Sequence, residues 1–327
     1  MEKKTNVSGV SDNLQDSIEE QDKAKKKQTS SGFLSGKKVA ISISKTEDLN
    51  KLGLSEYHLT DVSIEVARYL IVNGAVLLYG GDLREEGYTN LFAELSFQYK
   101  DLFDESNSFI NYFPFPNSKS LDLNARAQFV KKKVTPIEIP IPTKLGDIDA
   151  YRSYKPHEDV GDRYVVSECL SDMRIMMAKE LNARIVLGGK QKGFIGYLPG
   201  IVEETYWSIK ERKPIYLVGG FGGATRSIIR TLQGEPVEEL TNQYQYDTES
   251  LKEFKEYVNN KSLIDIDYNI ITDFFKNYSI DDLSNLNGLD NEENEILFES
   301  TNIHEIVFLI IKGLKKVFSN ENKFLRT

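Results

Sequence analysis

Apolar and polar residues alternate along this chain in blocks that predict strands and helices in turn. Residues 37–44 (KKVAISIS) form a short apolar run that is typical of a buried strand. Apolar residues then recur at helical spacing, namely Val62, Val66, Ala67, Leu70 and Ile71. Asn73-Gly74 is expected to end that helix. Residues 75–79 (AVLLY) predict a second strand, and a further helix should begin near Thr89.

The same order of elements returns in the second half of the chain. One helical face is predicted from Val166, Leu170, Met173, Met177 and Leu181. Residues 183–187 (ARIVL) and 214–218 (PIYLV) predict strands, with helices expected over 200–212 and from about residue 224. Between the two halves lies an insert, about residues 100–160, with strands expected near 108–113 and 134–139.

Alternating strands and helices predict an α/β fold, Rossmann-like, with a mostly parallel sheet between helices. This domain is expected to cover residues 35–234, insert included. Residues 1–34 are polar and charged, which predicts a disordered or loosely helical tail. Residues 235–327 should form an acidic helical appendage packed on the sheet domain or on a partner subunit, with helices near 249–258, 268–277 and 303–317.

Composition narrows the class of protein. The chain has 327 residues, 40% of them hydrophobic, which is enough for a sizeable core. It contains neither an apolar run that could span a bilayer nor the apolar core of a signal peptide. The single cysteine, Cys169, and the three scattered histidines suggest no disulfide and no metal site. These features indicate a cytoplasmic protein.

The charge is unevenly distributed and argues against nucleic acid as a partner. Residues 235–327 carry 19 acidic and 9 basic side chains, within a net charge of −9 for the whole chain. No basic stripe of the kind that grips a phosphate backbone is present.

Three predicted strands end in Gly-Gly, at residues 80–81, 188–189 and 219–220. In parallel sheets, ligands bind beyond the carboxyl ends of the strands, at the topological switch point. Glycines there let backbone N–H groups approach a phosphate, and the next helix presents its positive end. Ser42 and Ser44, near the end of the first strand, would donate to a phosphate or cap a loop. The charged residues 82–86 would border this site or form an exposed loop.

Charged side chains around the second Gly-Gly pair have two interpretations each. Arg174 would bind a phosphate or pair with a carboxylate. Lys190 and Lys192 are either solvated loop residues, or one of them, Lys190 before Lys192, would bind a phosphate. Glu204, like Glu203, opens a helix, where the helix dipole alone favours a carboxylate.

The segments MRIMMAKELNARIVLGG (173–189) and PGIVEE (199–204) resemble the SLOG superfamily of Rossmann-like proteins. Its Lonely Guy-type enzymes split nucleoside monophosphates at the N-glycosidic bond. Leu187 and Ile201 stand where those enzymes have proline and threonine, and residues 190–199 lengthen the loop. The segment KPIYLVGGFGGA (213–224) is closer to SLOG domains of bacterial antiviral systems, which sense messengers built from ADP-ribose.

The resemblance implies a sensor of an ADP-ribose-like, cyclic ADP-ribose-like or NAD-like ligand that acts on a separate effector protein. In such a sensor, the resemblance implies that Glu203 would accept hydrogen bonds from ribose hydroxyls. Hydrolysis of a nucleotide N-glycosidic bond, with Arg174 and Glu203 as catalytic residues, is the alternative, and a role chiefly in assembly is a third. No bound cofactor is expected. The ligand site is predicted to comprise Ser42, Ser44, Gly80, Gly81, Arg174, Gly188, Gly189, Lys190, Gly200, Glu203, Glu204, Gly222 and Gly223.

The final predicted helix suggests self-association. Ile306, Leu309, Ile310 and Leu314 form one apolar stripe, which would either pack on the chain's own sheet or pair two subunits. Because SLOG relatives pair through helices that flank the sheet, the resemblance favours a homodimer or a higher oligomer.

Overall fold

A computed structural model of the chain describes residues 32–81, 87–99, 108–261 and 267–324. Within these residues lies one sheet of six strands: β1 (Lys38–Ser44), β2 (Val76–Gly80), β3 (Phe109–Phe113), β4 (Val134–Glu138), β5 (Ala183–Gly188) and β6 (Ile215–Val218). The strand order is β4-β3-β2-β1-β5-β6, and every neighbouring pair is parallel. The α/β, Rossmann-like prediction is confirmed, with a wholly parallel sheet.

The segment 100–160 extends this sheet. Its two strands, β3 and β4, continue beyond β2, with Leu77 opposite Phe109 and Phe109 opposite Val134. The strands expected near 108–113 and 134–139 are therefore present, and they are the two outermost strands at one edge of the sheet.

Thirteen α-helices accompany the strands in the described ranges. They are α1 (Asp48–Lys51), α2 (Glu56–Val72), α3 (Tyr88–Gln98), α4 (Leu123–Lys131), α5 (Val160–Glu180), α6 (Gly200–Lys210), α7 (Gly223–Leu232), α8 (Asn242–Gln245), α9 (Glu249–Lys261), α10 (Tyr268–Lys276), α11 (Ile280–Asn287), α12 (Asn291–Glu299) and α13 (Ile303–Phe324). Short 3-10 turns occur at Asn117–Ser120, Thr143–Leu145 and Glu238–Leu240. The sequence alone did not predict α1, α4, α8, α11 or α12.

The alternation of side chains along β1 divides the core between the two faces of the sheet. Val39, Ile41 and Ile43 pack on one face together with α2 and α13. Ala40 packs on the opposite face with Met173 and other residues of α5. Both faces of β1 are thus covered, as a parallel sheet requires.

The tail predicted over residues 1–34 lies almost wholly outside the described residues. Leu34, at its end, is fully buried, and its backbone N–H donates to the carbonyl oxygen of Asn73 at 2.9 Å. The described chain is thus already packed against the domain at Leu34, before the strand that the sequence predicts over residues 37–44.

The C-terminal helices pack against the sheet domain through its edge strand β6. Asn287 of α11 donates from its side chain to the carbonyl oxygen of Ile215 at 3.0 Å, and the Tyr216 hydroxyl donates to the carbonyl oxygen of Asn287 at 2.7 Å. These bonds satisfy polar groups of a strand that would otherwise present an open edge.

The apolar stripe of α13 belongs to the core of the chain. Ile306, Leu309, Ile310 and Leu314 are each no more than 4% exposed and pack with residues of the sheet. Of the two interpretations of this stripe, packing on the chain's own sheet is the one observed. The stripe therefore gives no support to an oligomer, which stays a prediction.

Candidate functional site

The strand order places the topological switch point between β1 and β5. β1 pairs with β2 on one side and with β5 on the other, and Ser44 lies opposite Gly188 at the carboxyl ends of the two strands. The chain leaves these strands in opposite directions across the sheet, so a crevice is expected between the two following loops. The predicted residues Ser44, Gly188, Gly189 and Lys190 all lie at this point.

The glycines of these loops allow close contact between backbones. Gly188 has a φ of +63°, and a Cβ atom on it would lie 2.7 Å from the carbonyl oxygen of Ser44. Gly223 has a φ of +70°, and its Cβ would lie 2.5 Å from the carbonyl oxygen of Gly189. Side chains at either position would separate the loops after β1, β5 and β6.

Several backbone N–H groups predicted to face a phosphate have acceptors within the chain. The N–H of Gly189 donates to the carbonyl oxygen of Ser44 at 2.9 Å, and the N–H of Lys190 donates to the Ser44 hydroxyl at 3.2 Å. At the start of α7, the N–H of Gly223 donates to the Asp48 carboxylate at 2.9 Å. The Asp48 carboxylate thus occupies the place at the start of α7, beside Gly222 and Gly223, where the phosphate of a ligand was expected.

The glycines at the carboxyl end of β2 also make packing contacts. A Cβ on Gly80 would lie 3.0 Å from the Cε atom of Met173, and one on Gly81 would lie 2.1 Å from the side-chain oxygen of Asn111. The charged residues 82–86, which were expected to border the site or form an exposed loop, lie outside the described residues.

Arg174 and Glu203 bind each other. Nη1 of Arg174 lies 2.5 Å from Oε2 of Glu203, and Nε1 of Trp207 donates to Oε1 of Glu203 at 3.4 Å. Arg174 is 6% exposed and Glu203 is fully buried. A Cβ on Gly200 would lie 2.9 Å from Nη2 of Arg174, so the guanidinium rests on the first turn of α6. Both oxygens of Glu203 are already engaged.

A second buried arginine, Arg184, lies directly beside this pair. Nη1 of Arg184 lies 2.7 Å from Oε2 of Glu204 and donates to the Ser42 hydroxyl at 2.5 Å, and Nε donates to the Ser208 hydroxyl at 2.7 Å. The Ser42 hydroxyl in turn donates to Glu204. The side chain of Ser42 therefore points toward α6. Ser42 lies within β1, whereas Ser44 is the last residue of that strand.

Burial sets the electrostatics of Arg184. The side chain is fully buried, and the loss of water lowers its pKa, while Glu204 opposes that shift and neighbouring Arg174 adds to it. Two arginines and two glutamates thus form a balanced cluster between β1, β5, α5 and α6. The sequence analysis missed Arg184, although a charged residue inside the apolar run ARIVL is a signal that could have found it.

The two lysines of the loop after β5 have different surroundings. Lys190 is exposed, and its ammonium forms neither an ion pair nor a hydrogen bond with any residue that the structure describes. Nζ of Lys192 lies 2.5 Å from Oδ2 of Asp247 and 4.0 Å from the centre of the Tyr244 ring. The hydrogen bond to Asp247 raises the pKa of Lys192, and it lowers the pKa of Asp247 in return.

A sequence profile of the family described as SLOG cluster2 matches residues 33–297. The chain belongs to the SLOG superfamily. No curated protein sequence matches it significantly. SLOG membership supports a nucleotide-related binding function or a glycosidase-like one.

The SLOG match contains all six strands and the first helices of the C-terminal region. It therefore includes every residue that the sequence predicted for the ligand site. Among the described residues of this SLOG protein, no three His, Cys, Asp or Glu side chains come together in a way that could hold a metal ion. No helix in those ranges is both long and apolar enough to cross a bilayer.

Proposed function

We propose that this SLOG protein binds a nucleotide-derived ligand of the ADP-ribose, cyclic ADP-ribose or NAD type at the switch point between β1 and β5. In this proposal the protein is a sensor in a bacterial defence-type signalling system and passes the signal to a separate effector protein. Oligomerisation of the sensor is part of the same proposal.

The observation that carries the proposal is the position of Lys190. Its exposed ammonium lies directly after the Gly188-Gly189 turn, at the one point of the sheet where the strand order reverses, and no described carboxylate neutralises it. A phosphate bound over the ends of β1 and β5 would meet this cation from the loop after β5 and the Ser44 hydroxyl at the end of β1.

Arg174 and Glu203 support the binding proposal over hydrolysis. A catalytic carboxylate beneath the ribose would need an oxygen free to face the glycosidic carbon. Both oxygens of Glu203 are occupied, by Arg174 and by Trp207. The hydrolase remains the second candidate because Arg174 and Glu203 do lie side by side at the start of α6. A direct contact of either residue with a ligand stays a prediction.

Calorimetric titration with ADP-ribose, its cyclic isomers and NAD tests the binding function. We expect Lys190→Gln to lower the affinity for the bound nucleotide by at least about tenfold, because it removes a charge-assisted contact to phosphate. Lys179→Gln is the matched control, since Lys179 is exposed at the end of α5, near the amino ends of the strands. If no nucleotide binds, or if both variants bind as the wild type does, the proposal is wrong.

Chromatography of the same mixtures decides between sensor and enzyme. The sensor leaves its ligand intact after long incubation. Release of free base by the wild type, and its loss in Glu203→Gln, would establish the hydrolase instead.

A further inference from the structure

A cavity of about 260 Å³ lies beside the loop after β5, apart from the switch point. Three segments line it: the start of α5 with Arg163, the loop with Lys192, and the start of α9 with Asp247, Thr248 and Ser250. The residues assigned above to the switch point do not line this cavity. Cationic side chains from two separate segments of the chain, Arg163 and Lys192, therefore line the same cavity.

Arg163 is a half-buried cation without a carboxylate partner in the described part of the chain. Its Nη2 donates to the carbonyl oxygen of Phe194 at 3.1 Å, and its Cζ lies 4.7 Å from the centre of the Phe254 ring. Its Nε is buried and has no described acceptor. Burial lowers the pKa of Arg163. A guanidinium in such surroundings is stabilised by an anion, and none of the described residues supplies one.

Lys192 brings a second cation, whose partner can be exchanged. Asp247 pairs with it at 2.5 Å, but both side chains are more than two-fifths exposed. Ion pairs at the surface are weak because water competes for both charges. An anion in the cavity could therefore replace the Asp247 carboxylate at little cost.

The start of α9 adds neutral donors and a favourable field. Thr248 and Ser250 line the cavity with hydroxyl groups, and α9 continues for thirteen residues from Glu249. The positive end of this helix dipole therefore lies at the cavity.

We propose that this cavity is a second ligand site, which takes the phosphate group of a small phosphorylated metabolite of sugar-phosphate size. Arg163 and Lys192 hold the phosphate, Thr248 and Ser250 donate to it, and Asp247 leaves Lys192 when the ligand enters. The volume is below the roughly 300 Å³ at which pockets for larger ligands begin, so a dinucleotide does not fit inside. This site does not depend on the function proposed for the switch point.

Titration calorimetry with inorganic phosphate and with ribose 5-phosphate tests the site on the full chain. We expect Arg163→Gln and Lys192→Gln each to weaken binding of ribose 5-phosphate by at least about tenfold, since each removes a charge-assisted contact. Asp247→Asn should strengthen binding severalfold, because it removes the carboxylate that competes for Lys192. An increase in affinity on loss of this negative charge is not expected from damage to the fold.

Lys252→Gln is the matched control, because Lys252 is an exposed residue of α9 that pairs with Glu249 and does not line the cavity. Circular dichroism is the control for the folding of Arg163→Gln. Lys192→Gln changes only an exposed side chain. The proposal is overturned if neither probe binds at millimolar concentration. It is overturned equally if the Arg163 and Lys192 variants bind as the control does, or if Asp247→Asn does not increase the affinity.

Discussion

Two groups of cations lie around β5 and the loop that follows it, and their surroundings are opposite. The inner group, Arg174 and Arg184, is buried and neutralised by Glu203 and Glu204 of that helix. The outer group lies at or near the surface: Lys190 and Arg163 have no described carboxylate partner, and Lys192 has an exposed one. The contrast indicates that the inner charges stabilise the fold, whereas the outer charges are available to a ligand.

The difference follows from the cost of removing a charge from water. A buried arginine without its carboxylate is strongly destabilising, so the fold must supply the partner itself. A cation at the surface keeps its hydration and can exchange partners freely. Removal of an inner charge should therefore affect stability, while removal of an outer charge should affect binding.

Arg184→Met tests the inner group with the largest expected effect. The substitution leaves Glu204 in a partly buried position without its closest cation, so we expect the free energy of unfolding to fall by about 3–5 kcal/mol. Urea denaturation followed by circular dichroism measures this. Arg230→Met is the matched control, because Arg230 pairs with exposed Glu235 and should contribute no more than about 1 kcal/mol. If both variants lose the same free energy of unfolding, Arg184 contributes no more to stability than an exposed ion pair does.

A double-mutant cycle on Arg174 and Glu203 has the next largest expected effect. Arg174→Met and Glu203→Leu should each be destabilising, because each leaves a buried charge without its partner. The double variant should recover much of the loss, which gives a coupling energy of about 2–3 kcal/mol in urea denaturation. Strict additivity would show that the two side chains do not depend on each other, and Glu203 would again be a candidate for direct contact with ribose.

Much of the fold was predictable because its signals are local. Short apolar runs such as KVAISIS and period-3.6 faces such as that of α2 are determined by near neighbours in sequence, and they correspond to observed strands and helices. The helices α11 and α12 were missed, although each begins with a local signal. Ser279 with Asp282, and Asp290 with Glu293, form capping boxes that the sequence contains in readable form.

The arrangement of charges could not be predicted in the same way because it depends on long-range contacts. The sequence singled out Arg174 and Glu203 but did not show that they bind each other, since 29 residues separate them. Ser42 and Glu204 meet across 162 residues. The role of the apolar stripe of α13 could not be predicted from the sequence either. The periodicity of apolar residues is identical for a helix that packs on its own sheet and for one that pairs two subunits.

The smallest expected effect concerns the outer lysines and completes the comparison. Lys190→Gln and Lys192→Gln should each change the free energy of unfolding by no more than about 0.5 kcal/mol without ligand, because both side chains are exposed. The same urea denaturation measures this, with Lys252→Gln as an exposed reference on α9. A loss above about 1.5 kcal/mol in either loop variant would show that the lysine holds the loop in place. That lysine would then belong with Arg184 as a structural charge, and a weaker affinity in the variant could no longer be attributed to a lost ligand contact.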